Sequence, residues 1–225
     1  MSAWQVSLAI FRKDLVAERR RKDVFNIVFL FGFTVVVAFS YAFEPGAEES
    51  RGIAGGLLWL AFLFASVLGL NQSFARATAN GCLDGLRLIP VEAGALYAGM
   101  LLSNFVFLLL AEAVLLPVFG VFFNLNLWAR PAELALVLFL GTWGVASLGT
   151  ILAAVSANTR IRELLLPLFL LPLAVPVLVV AIEATSLLIA GRPLAEAAWG
   201  LKLLTGFDII FSVLGWLLFD FVLEE

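Results

Sequence analysis

The sequence predicts an all-α polytopic membrane protein with six transmembrane helices. Three observations lead there. Of 225 residues, 63% are hydrophobic and 14% charged, with a mean hydropathy of +1.06, whereas a soluble domain is nearer half apolar and a quarter charged. Six stretches reach the roughly 20 apolar residues that a helix needs to cross a bilayer. These stretches lack the alternation of apolar and polar positions that marks a barrel strand.

The spans are expected at 23–43, 52–75, 94–123, 133–157, 163–191 and 199–223, as one transmembrane domain over 23–223. The third and fifth exceed a single crossing, which tilting or kinking accommodates. The run 24–43 outlasts the apolar core of a signal peptide and five more spans follow, so it is expected to be retained. Ten basic residues fall on one side: six before the first span, then Arg76, Arg87, Arg160 and Arg162. Arg51, Arg130, Arg192 and Lys202 fall on the other. Basic loops stay cytoplasmic, which predicts cytoplasmic N- and C-termini, with 224–225 as a short inner tail.

Composition excludes several chemistries. The net charge of −3 offers nothing to a phosphate backbone, so no nucleic-acid partner is expected. The chain has no histidine and a single cysteine, Cys82, which leaves no disulfide, zinc cluster or usual haem axial ligand. No catalytic or metal site is expected, and two unpaired carboxylates without histidine make a poor active site.

Residues 1–22 precede the first span. Trp4, Leu8, Phe11 and Leu15 recur at helical spacing, with Arg12, Lys13, Arg19 and Arg20 mostly elsewhere. That is an amphipathic helix suited to the inner headgroup layer, where each basic residue adds roughly 1 kcal/mol of attraction to anionic lipid. It serves either as an anchor or as an elbow that frames a transport domain. The inward loop 76–92 is punctuated by Gly81, Gly85 and Pro90. Leu83, Leu86 and Ile89 step by three, and Asp84 suits the first turn of a short helix. An exposed apolar face there docks on a partner or rests on the bilayer.

Two carboxylates fall inside spans: Glu112 in the third and Asp208 in the sixth. An ionised acid at mid-bilayer costs about 2.5–3.5 kcal/mol on insertion scales, so each is a candidate for a substrate route, a subunit interface or a proton relay. A position nearer the outer surface would soften that cost at Asp208, and Glu183 is expected close to the outer interface. The fifth span carries Pro167, Pro172 and Pro176. Three prolines predict a broken or strongly bent helix, either a gate or a structural bend. Gly141, Gly144, Ser147 and Gly149 in the fourth span permit close helix approach. No inverted repeat is evident.

Four segments together resemble a known family. Gly81, Leu83, Asp84, Leu86 and Pro90 follow a G-x-L-[DE]-x-L-x-x-x-P pattern similar to the coupling-helix region of type-2 ABC exporter permeases. LPLFLLPLAVPVLV at 166–179, FRKDLVAERRRKD at 11–23 and FDIIFSVLGWLLFDFVLEE at 207–225 resemble one branch, the B subunit of the cytochrome c maturation haem exporter. The resemblance implies a permease subunit that works with a separate ABC ATPase, two copies of which bind ATP. It also implies a haem-handling membrane subunit, a small accessory membrane protein and a second copy of this chain as partners, beside membrane lipid. Gly81, Leu83, Asp84, Leu86, Arg87 and Pro90 would then contact the ATPase, and Glu112, Pro167, Pro172, Pro176 and Asp208 would be gate or translocation candidates. Haem is the implied cargo, carried to the periplasm or to a haem chaperone; no bound cofactor is expected. The chain carries no GxxxxGK[ST] motif, so hydrolysis belongs to another subunit. Two further readings stay open: a permease for another hydrophobic cargo, and a scaffold that transports nothing. A transporter would gather Glu112, Asn104 and Asp208 along one cavity; a scaffold would leave them apart.

Overall fold

A computed structural model describes residues 3–43, 48–79, 92–156 and 162–224. Seven helices appear: α1 (Ala3–Arg21), α2 (Asp23–Ala42), α3 (Glu48–Ala79), α4 (Ala93–Phe122), α5 (Pro131–Ser156), α6 (Arg162–Ile189) and α7 (Ala198–Glu224). No strand occurs among the described residues. The last six helices are each long and apolar enough to cross a membrane, which makes this a multi-pass membrane protein.

The expected spans match these helices closely, with small shifts. α3 continues through Ala79, so 76–79 belongs to a helix rather than to the loop. α7 continues through Glu224, so the first residue of the expected tail is helical. The short helix expected around 83–89, with Gly81, Cys82, Leu83, Asp84, Leu86, Arg87 and Pro90, lies outside the described residues.

Helix ends follow local chemistry. α5 opens on Pro131, where a missing amide proton costs nothing. α6 closes on Gly191 at φ 74. The amides of Gly191 and Arg192 donate to the carbonyls of Leu188 and Leu187, the paired bonds of a Schellman motif. Lys22 adopts φ 57 and breaks α1 from α2. The Glu18 carboxylate accepts from the Phe25 amide at 2.8 Å, so a side chain of α1 caps α2, where a carboxylate also suits the helix dipole.

α3 and α5 form the centre of the bundle: 72% and 67% of their spans are buried, against 22% for α2 and 17% for α7. Glycines on α5 make this packing close. A Cβ on Gly141 would enter the Trp59 ring of α3, and one on Gly149 would strike Leu70 of the same helix. At the other seam α4 and α7 interlock: Gly94 lies under Trp216, and Gly215 under Tyr97. α1 docks on the first turns of α4 through Val6, Ser7 and Ile10, all buried, with Ser7 Oγ donating to the Ala95 carbonyl at 2.8 Å. The stripe Trp4, Leu8, Phe11 and Leu15 is therefore not the docking face. It lies roughly a third of a turn away, with Trp4 65% exposed.

Candidate functional site: polar seams around α5

Within a bundle this apolar, polar side chains that bridge helices are the informative groups. Most converge on α5. Thr142 donates to Glu112 Oε2 of α4 at 2.5 Å, and both residues are buried. Asn104 Nδ2 of α4 donates to Thr150 Oγ1 at 3.0 Å. That hydroxyl in turn donates a hydrogen bond to the Ala146 carbonyl at 2.7 Å. Tyr97 OH of α4 reaches the Ser147 carbonyl at 3.3 Å. α4 and α5 are thus joined by a ladder of buried hydrogen bonds.

Toward α6 and α7, α5 is dressed differently. Trp143 Nε1 donates to Ser212 Oγ of α7 at 3.0 Å. One residue on, Gly144 leaves space that Asp208 fills: a Cβ there would meet Asp208 Oδ1 at 2.8 Å and Val177 Cγ2 of α6 at 2.9 Å. Asp208 is 5% exposed and lies halfway along its span. Neither of its oxygens has a hydrogen-bond partner.

At the end of the bundle away from α1, charges hold the turns. Arg130 donates to the carbonyls of Arg192 and Gly191. Glu133 accepts from the Leu194 amide at 3.3 Å and pairs with Arg130 at 3.6 Å. Beside them opens a cleft of about 760 Å³, lined in part by Arg51, Glu183, Leu187 and Arg192. Glu183 therefore belongs to this end, as its sequence position suggests.

A profile of the CcmB protein family matches residues 5–221. The chain belongs to the CcmB family. Curated relatives agree. It is 33% identical to heme exporter protein B of Rhodobacter capsulatus over 78% of this chain and 80% of the relative. It is 31% identical to heme exporter protein B of Bradyrhizobium diazoefficiens over 81% and 82%. It is 29% identical to that of Pseudomonas aeruginosa over 83% of each chain. The CcmB match takes in all six spans.

In this CcmB-family fold the candidate residues separate. Glu112 and Asn104 share the α4–α5 seam, whereas Asp208 sits on the α5–α6–α7 seam. The cleft beside Arg51 is lined by none of the three. Of the two forms expected for the proline-rich span, broken or bent, the break is not seen: α6 runs as one helix through Pro167, Pro172 and Pro176, with Pro172 and Pro176 exposed and Pro167 half-buried. Each proline deprives one carbonyl of its donor, and the flanking turns carry the helix across. Sequence reasoning missed Thr142, Thr150, Trp143 and Ser212, because a hydroxyl or indole in an apolar run is ordinary until its partner is known. Among the described residues no group of three or more His, Cys, Asp and Glu could hold a metal ion.

Proposed function

We propose that this chain is the membrane-spanning permease subunit of an ABC exporter for cytochrome c maturation, supporting ATP-driven delivery of haem to the periplasmic side or release of a loaded haem chaperone. Family membership across residues 5–221 carries the reading, with relatives named heme exporter protein B, and it outweighs the separation of Asp208 from Glu112 and Asn104, the arrangement expected of a scaffold. A separate ATPase supplies hydrolysis, because this chain has no phosphate-binding glycine loop. It docks against 81–90, the segment whose sequence carries the coupling-helix pattern, with Asp84 and Leu86 as contact candidates. A haem-handling membrane subunit and a small accessory protein complete the complex. Iron ligation falls to those partners, since this chain has no histidine. The termini lie on the cytoplasmic side of the inner membrane, as the basic residues direct.

Mild-detergent capture of the tagged protein from its own membranes tests the assembly. Recovery of an ABC ATPase and a haem-handling subunit is expected. An ATPase alone would point to another hydrophobic cargo, and the absence of any ATPase to a scaffold. Replacing Asp84 and Leu86 together tests the docking element: survival of both ATPase association and cytochrome c maturation would refute it.

A further inference from the structure

Asp208 poses a physical problem that the resting bundle does not solve. Its carboxyl is buried at mid-span between α5, α6 and α7, and neither oxygen is hydrogen-bonded. Gly144 gives it room but no donor, and Val177 beside it is apolar. Buried polar groups without partners are rare, because the lost hydration is not returned. The nearest donor system lies on the same seam. Trp143, adjacent to Gly144 on α5, gives its indole N–H to Ser212. Ser212 is four residues beyond Asp208 on α7, so the two share a face one turn apart. An ionised carboxylate accepts a stronger hydrogen bond than a hydroxyl does, so Asp208, once ionised, competes for the indole proton that Ser212 now holds. α7 is also the least enclosed of the six spans, and packed helices can ratchet past one another by up to a turn.

We propose that Asp208 is a positioning residue of the transport cycle: in a second arrangement of the α5–α7 seam its carboxylate takes the indole N–H of Trp143 that Ser212 holds in this one. Gly144 is the clearance that lets the carboxyl pass. The resting state leaves Asp208 unsatisfied and the alternate state satisfies it, which narrows the gap between the two and lets a modest push at the membrane surface drive the change. This inference rests on the haem-exporter reading for its functional readout.

The experiment uses the full chain in a bacterium deleted for its own B subunit, together with thermal unfolding of the detergent-purified protein. Wild type must first restore cytochrome c maturation; failure there counts against the proposed function and not against Asp208 alone. Given restoration, Asp208→Leu is expected to unfold at the same or a higher temperature while maturation falls about tenfold, a typical size for a lost coupling. Asp208→Asn, whose carbonyl still accepts, should fall less. Trp143→Phe should cost a similar loss, and combining it with Asp208→Leu should add little, because the two act through one bond. Full maturation with Asp208→Leu would overturn the proposal. So would additive losses with Trp143→Phe. A drop in unfolding temperature in both Asp208 variants, in step with maturation, would make the residue structural and overturn it equally.

Discussion

Thr142 on α5 donates to Glu112 on α4, and eight residues along each helix Asn104 on α4 donates to Thr150 on α5. The equal spacing places the two bonds in one antiparallel register, about two turns apart. A one-residue slip would break both.

The first prediction concerns that ladder. Thr142→Val should destabilise the purified protein by roughly 0.5–1.5 kcal/mol, the range measured for interhelical hydrogen bonds in membranes, and leave the Glu112 carboxyl without its donor. Glu112→Leu combined with Thr142→Val should recover part of that loss, since removing both partners costs less than orphaning one. Thermal unfolding of the three variants decides it; a double variant worse than the sum would refute the pairing.

Glycines offer a second comparison. Gly141→Ala drives a methyl into Trp59 and should cost about 1–3 kcal/mol as overpacking. Gly206→Ala meets nothing within 4 Å and should be neutral or gain up to about 1 kcal/mol from helix propensity. The unfolding temperature should fall for Gly141→Ala and hold or rise for Gly206→Ala.

The joint between α1 and α2 gives a third. Glu18→Ala removes the acceptor for the Phe25 amide and should cost about 1 kcal/mol, as loss of a helix cap does. Hydrogen exchange should rise locally at Phe25 and its neighbours, while α5 stays protected. Uniform change across the bundle would argue against a local cap.

A fourth prediction concerns the clamp at the end of the bundle away from α1. Glu133→Gln keeps an acceptor for the Leu194 amide but loses the charge that pairs with Arg130. Both side chains are over a third exposed, so the loss should be small, within about 1 kcal/mol, and should vanish in high salt. An effect insensitive to salt would show that the Leu194 bond dominates.

Six spans were legible because a bilayer imposes a length and an apolarity that few other structures satisfy. Glu112 and Asp208 were legible as unusual for the same reason. Their partners were not: Thr142 is one hydroxyl among many, and Gly144 is informative only because Asp208 fills its clearance. The prolines were ambiguous in a physical way. A missing donor weakens one helical turn, but whether the helix breaks depends on what surrounds it, and α6 remains one helix through three of them. The apolar stripe of α1 was visible, yet the buried face that fixes its position runs through Val6, Ser7 and Ile10, and Ser7 makes that stripe look polar in sequence.

The central place of α5 bears on how the chain is made. A ribosome delivers α3 and α4 before α5, so Thr142 and Thr150 find Glu112 and Asn104 waiting. The indole of Trp143 and the hollow at Gly144 do not; their counterparts on α6 and α7 are still unsynthesised. Biosynthesis therefore passes through a half-built state with one polar face satisfied and the other turned to lipid. A chain stalled there would carry its own mark of incompleteness, an indole N–H without Ser212 and a glycine hollow without Asp208.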